Sequence, residues 1–207
     1  MEYLQIYIYT FLAALVGVIP PGLVNMSVAK TCLEKGRRNG ILMAFGASLV
    51  VFLQALIAIL LSKYIFSNPY VKSIFFKTGI AILILMFIYF LLSANRKKTQ
   101  RNIKKRTGTK SFFSGILVSA LNIFPIPYFV LVATLLSNNF KIAFSLYNDL
   151  FFALSAALGT LTTLYLYVIF IMRIGGKTEL FKKYSNYFMA VLMLILIIVT
   201  WIRLYQM

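Results

Sequence analysis

Gly17-Val18-Ile19-Pro20-Pro21-Gly22-Leu23-Val24-Asn25-Met26 interrupts a long apolar run, and Leu121-Asn122-Ile123-Phe124-Pro125-Ile126-Pro127-Tyr128 interrupts another about a hundred residues later. Together they hold four of the five prolines in the chain. Proline removes a backbone donor and clashes with the carbonyl one turn earlier. Two near-adjacent prolines therefore open the hydrogen-bond ladder of a helix over about a turn. In hydrocarbon each freed carbonyl costs several kcal/mol unless something satisfies it, so a lasting break must face protein or a polar cavity.

The runs around these breaks are membrane-length. A bilayer core takes roughly 20 apolar residues as helix. Six stretches qualify, near Leu4 to Val28, Ile41 to Leu61, Ile74 to Leu92, Ser111 to Leu136, Tyr147 to Ile171 and Tyr184 to Tyr205. They lack the alternation of a membrane barrel. The composition agrees: 61% of the 207 residues are hydrophobic and only 12% charged, where a soluble domain has about a quarter charged. Disorder is excluded, because the charge-rich and aromatic-poor composition it needs is missing. The start, Met1-Glu2-Tyr3-Leu4, lacks the basic n-region of a signal peptide, which predicts a retained first helix.

The net charge of +17 is an orientation signal. Sorted by loop, 16 of the 21 Lys and Arg lie in the first, third and fifth loops, and 5 lie on the side of the termini. Lys and Arg excess marks the cytoplasmic side, so both termini are predicted outside the cytoplasm. Tyr3, Tyr64, Tyr70, Trp201 and Tyr205 fall near the outer ends of spans, where interfacial aromatics belong. The densest cluster, Arg96 to Lys110, holds no acid and is predicted to lie against anionic lipid heads. It lacks interleaved aromatics and any recognisable module, so nucleic acid is not a predicted partner.

That cluster also divides the chain. Residues 1–93 form one set of three spans, 94–110 a basic linker, and 111–207 a second set of three. Three is odd, so the second set enters the membrane from the opposite face. The two breaks occupy the first span of each set. The predicted fold is therefore all-α: six transmembrane helices as a 3+3 inverted repeat, with Pro-broken first and fourth helices. At 1.5 Å per residue, Pro20 lies about 24 Å along its helix from Leu4, and Pro125 about 21 Å from Ser111. Both are past the midplane on opposite sides. The middle spans also match, with Gly36, Gly40, Ala44 and Ser48 in one and Ala153, Ala156, Ala157, Thr160 and Thr163 in the other. Small residues at that spacing let helices pack closely in lipid.

Paired Gly/Pro interruptions in two inverted halves point to a transporter's binding site. Other chemistry is poorly provided for. Cys32 is the single cysteine and there is no His, too few ligands for a zinc or haem site. An intramembrane enzyme would need a base or metal beside a nucleophile, and a metal exporter would need acidic or His ligands within the spans. No metal or cofactor is predicted. No Asp, Glu, His, Lys or Arg lies deep in a predicted span, and Asp149 sits only near the outer end of the fifth. Proton coupling through a buried carboxylate is therefore not expected.

The first break, the basic Glu34-Lys35-Gly36-Arg37-Arg38 turn and the Gly40 and Gly46 of the second span resemble the lysine exporter (LysE/RhtB-type) family. Phe113, Gly115 and Asn122 to Pro127 resemble that family's second Pro-containing segment. The resemblance covers nearly the whole chain. It implies a six-helix, multi-pass exporter of amino acids or similar small solutes in a bacterial inner membrane, built from inverted repeats, homodimeric, and no enzyme. Two departures stand out. The usual Pro-Gly-Pro order is Pro20-Pro21-Gly22 here, and the acidic residue often found in the second span is missing between Ser48 and Gln54.

An amino acid zwitterion needs one anion site and one cation site, and a broken helix offers both as N–H groups and carbonyls. The predicted site comprises Pro20, Pro21, Gly22, Asn25, Gln54, Asn122, Pro125, Pro127 and Tyr128. N–H groups after Pro21, near Asn25, would take the carboxylate. Carbonyls before Pro20 and around Asn122 to Phe124 would take the ammonium, with Tyr128 supplying a phenol or ring face. For Gln54 an interhelical hydrogen bond is the stronger expectation. The alternative for the whole molecule is a non-transporting membrane scaffold or assembly factor, which would account for the basic loop but not for two matched breaks.

Overall fold

The computed structural model describes residues 2–19, 22–67, 108–139 and 145–174, with further helical positions between 74 and 92 and between 191 and 201. Pro20, Pro21 and most of the basic linker lie outside the described residues. Six helices are bounded: α1 (Glu2–Val18), α2 (Leu23–Lys35), α3 (Arg37–Ser67), α4 (Thr109–Ala120), α5 (Pro125–Asn139) and α6 (Leu146–Ile174). No strand occurs among the described residues.

Helix length separates these elements into two kinds. Within α3 and α6, Arg37–Tyr64 and Leu146–Arg173 are each long and apolar enough to cross a membrane alone. The others are short: α2 has 13 residues and α4 has 12, against the roughly 20 a bilayer core requires. They reach membrane length only as pairs. α1 and α2 join at a bend of 69°, and α4 and α5 at a bend of 66°. The described chain thus has two continuous candidate spans and up to four with the bent pairs. These are the first, second, fourth and fifth predicted stretches. The third and sixth contribute helical positions such as Ile80 and Leu194.

The chain divides into two compact units. The first takes Met1–Ile19, Leu23–Tyr64 and Lys104–Gly176; the second takes Pro20–Gly22, Ile65–Ile103 and Lys177–Met207. In the second, Ile80 is buried, whereas Ile84, Leu85, Ile88, Leu91, Leu194, Ile195 and Trp201 are exposed.

In the first unit each helix has two faces. On α1, Ile6, Thr10 and Ala14 are buried one turn apart, and Leu4, Ile8, Leu12 and Val16 are exposed at the same spacing. The outward stripe is apolar, as a lipid-facing surface requires. The inward faces meet through small residues. A Cβ on Gly46 of α3 would run into the carbonyl of Phe112 on α4, and one on Gly115 of α4 into the carbonyl of Met43 on α3. The two backbones therefore touch through reciprocal glycines. α1 meets α6 in a similar manner, where a Cβ on Gly159 would come within 2.5 Å of the Phe11 carbonyl. Val28, Cys32, Met43, Ala47, Leu164 and Val168 fill the core between α2, α3 and α6.

Candidate functional site

At the end of α1 the last helical carbonyls lose their intrahelical partners. Side chains take over. Thr163 of α6 donates its hydroxyl to the Leu15 carbonyl at 3.0 Å. Asn25, the third residue of α2, donates from Nδ2 to the Val18 carbonyl. Tyr167 of α6 donates its hydroxyl to the Ile19 carbonyl, and the Ile19 amide closes a short turn on the Val16 carbonyl. Tyr128 of α5 donates to the Ala13 carbonyl at 2.7 Å and lies over Gly17, where a Cβ would come 2.7 Å from its ring. A larger residue at Gly17 would displace that ring. Among the carbonyls before Pro20, those of Leu15, Val16, Val18 and Ile19 thus each have a partner within the protein. Pro20 and Pro21 themselves lie outside the described residues, and Gly22 is half-buried.

The second break is built differently. α4 stops at Ala120, its Leu121 and Asn122 amides folding back on the carbonyls of Leu117 and Ser119. α5 then begins at Pro125. Pro125 and Pro127 stand at its first and third positions, where a helix has no carbonyl partner for an N–H. Neither proline removes a helical hydrogen bond. The break lies ahead of them, over Leu121 to Phe124, because the residue before a proline is steered out of the helical region. The Ile126 amide bonds the Ile123 carbonyl at 3.2 Å, and the Tyr128 amide bonds the Phe124 carbonyl at 3.3 Å. The start of α5 therefore offers no open donor.

Its carbonyls are met from α3. Gln54 Nε2 donates to the Asn122 carbonyl at 2.8 Å and approaches the Ser119 carbonyl at 3.4 Å. Ser119 in turn donates its hydroxyl to the Ala47 carbonyl at 3.1 Å. Gln54 is the interhelical bridge expected of it, with one addition. Its Oε1 is buried and has no hydrogen-bond partner. A buried amide oxygen left unpaired costs about 1–3 kcal/mol, so it is an acceptor waiting for a donor.

Across most of the chain, residues 15–202, the sequence matches the family model described as LysE type translocator. The chain belongs to that family. Its members are translocators, and among the described residues no cluster of three or more His, Cys, Asp or Glu could hold a metal ion. No curated protein and no solved structure matches this translocator.

Of the predicted residues, Gln54 and Asn122 come together at the second break, while Asn25 and Tyr128 both bond the last turns of α1. Tyr128 also stacks on Phe124, with ring centroids 6.2 Å apart. Two contributors escaped the sequence reading, Thr163 as a bonding group and Tyr167 altogether. The signal was present: Thr163 closes the small-residue stripe of α6, and Tyr167 follows it four residues later on the same face.

Proposed function

We propose that this LysE-type translocator exports amino acids or similar small solutes from the cytoplasm of a bacterium, by alternating access around its two broken helices. The proposed topology has six spans in a bacterial inner membrane, both termini outside, and two inverted three-helix repeats joined by residues 94–110. What carries the reading is the exchange of partners between the halves. α1 packs on α6 and α4 on α3, so each half-helix before a break lies against the middle span of the other half. Each middle span also donates side-chain hydrogen bonds to carbonyls at the other half's break, Thr163 and Tyr167 at the first and Gln54 at the second. An inverted repeat places its binding site at such an interface.

The proposed solute site draws on groups from both breaks. α2 opens with Leu23-Val24-Asn25, all of which carry an N–H, and its positive end suits a carboxylate. At the second break Gln54 Oε1 suits an ammonium. Asn25, Gln54 and Asn122 are the polar side chains of this site, with Tyr128 over α1 as its aromatic wall. Anionic lipid at the basic linker and a homodimer complete the proposal.

Efflux of a panel of labelled amino acids from cells with and without the protein tests it. At least one solute should leave faster with the protein present. Alanine at both Asn25 and Asn122 should abolish that efflux while the protein remains folded. Unchanged efflux in the double variant overturns the site, and no efflux of any solute by the wild type favours the scaffold.

A further inference from the structure

The inward face of α6 carries four buried polar groups: Asp149 in the first turn and, about three turns further on, Thr160, Thr163 and Tyr167, with the apolar Phe152, Ala153 and Ala156 between them. The last two are committed to carbonyls of the first break. The first two are not: Asp149 Oδ1 and Thr160 Oγ1 are buried without a hydrogen-bond partner. Asp149 lies in the first turn of α6 and is only 5% exposed. The sequence places it near the outer end of the fifth span, and it does lie at that helix end, yet its side chain is buried.

A buried carboxylate with an unpaired oxygen is unstable unless it is neutralised. Among the described residues, few charged or titratable groups act on it. From α1, Tyr7 acts on it electrostatically, and Tyr3 acts on Tyr7. From α3, the charge of Lys63 acts on it. Beside it on α6, Asn148 Oδ1 accepts the Tyr7 hydroxyl at 2.9 Å.

We propose that Asp149 is a cation-binding site and that its cation is the proton. A proton adds to the carboxylate and yields a neutral acid that needs no counter-ion. Its departure restores the carboxylate, which Lys63 then balances. A metal ion would need several oxygen ligands, and the neighbouring Asn148 oxygen already accepts from Tyr7, whereas a proton needs neither room nor ligands. The site and the first break share one helix: α6 carries Asp149 in its first turn and, about 20 Å further on, Thr163 and Tyr167, which bond α1. The direction of proton flow rests on the export reading; the existence of the site does not.

Dicyclohexylcarbodiimide, an apolar reagent that modifies protonated carboxyls in apolar surroundings, tests the site in the full-length protein. The chain has only four acidic residues, of which Asp149 is the single aspartate, so mass spectrometry assigns the adduct without ambiguity. An adduct is expected on Asp149, falling about tenfold per pH unit above its protonation midpoint, and indifferent to sodium at fixed pH. No adduct at any pH would mean a carboxylate permanently paired with Lys63 and would overturn the proposal. Protection by sodium at fixed pH would replace the proton with a sodium ion and overturn it equally. In proteoliposomes, solute movement driven by a pH gradient should fall at least about tenfold in Asp149→Asn and persist in Asp149→Glu. An adduct on Asp149 in a protein that moves no solute would leave the site standing and remove the export reading instead.

Discussion

The two helix breaks bend by nearly the same angle, 69° and 66°, yet they are chemically opposite. At the first, the carbonyls of Leu15, Val18 and Ile19 accept from Thr163, Asn25 and Tyr167, and the helix that follows starts with three residues bearing N–H groups. At the second, the helix that follows starts with Pro125 and Pro127, and the two intervening and following amides are already bonded. Its surplus is an acceptor, the Oε1 of Gln54. The first break is followed by a helix whose first residues all carry an N–H, and the second carries an unpaired acceptor. An inverted repeat with identical breaks would bind two like charges; this asymmetry suits a zwitterion.

The comparison depends on each break being held by its neighbouring long helix, and the most damaging way to test that is to part them. Gly115→Val should drive α4 off α3, because its Cβ meets the Met43 carbonyl, and backbone cannot yield as a side chain can. A cost of more than about 3 kcal/mol is expected, read as loss of monodisperse protein and a large fall in melting temperature. Gly159→Val should do the same to α1 and α6. Normal melting in either would show that the breaks are not braced as described.

Next in size is Gln54→Leu, which keeps the volume but leaves the Asn122 carbonyl unpaired while removing the orphan Oε1. The bare Asn122 carbonyl and the lost orphan oxygen offset each other, so stability should change by less than about 2 kcal/mol, and efflux should fall by more than any loss of folded protein explains. Gln54→Glu should separate the two roles. It adds an anion at the acceptor end and should shift preference toward more cationic solutes, read as altered KM ratios.

These residues also mark how far the sequence could be read. The breaks, their matched positions and the bridging role of Gln54 were legible, because proline geometry and the cost of bare carbonyls in hydrocarbon act locally. The placement of Pro125 and Pro127 was only half legible. Periodicity locates a proline in an apolar run but does not say whether it ends one helix or starts the next. Thr163 and Tyr167 reach across about 150 residues of sequence to their acceptors, and no local pattern reports such a contact. Asp149 does lie in the first turn of α6, near the end of the fifth span as the sequence indicates; that its side chain is nonetheless buried depends on tertiary packing, which leaves no local signal.

A smaller effect is expected of Tyr167→Phe. It deletes one hydroxyl from the Ile19 carbonyl and leaves the ring in place. Interhelical bonds of this kind contribute about 0.6 kcal/mol on average and at most about 1.7. The protein should stay folded with a slightly lower melting temperature. If the first break is a moving part, efflux should change several-fold more than stability does. Equal, small changes in both would make Tyr167 a packing residue alone.

The mildest substitution bears most directly on the asymmetry. Pro127→Ala restores an N–H at the third position of α5, where no helical carbonyl awaits it. Because the proline removed no helical bond there, stability should change by less than about 1 kcal/mol. The new donor, however, would make the second break resemble the first. If Gln54 marks the ammonium end of the site, a donor beside it opposes the substrate, and KM for efflux should rise a few-fold with little change in kcat. A lower KM would mean that the carboxylate, not the ammonium, lies at the second break, and the polarity assigned to the two breaks would have to be reversed.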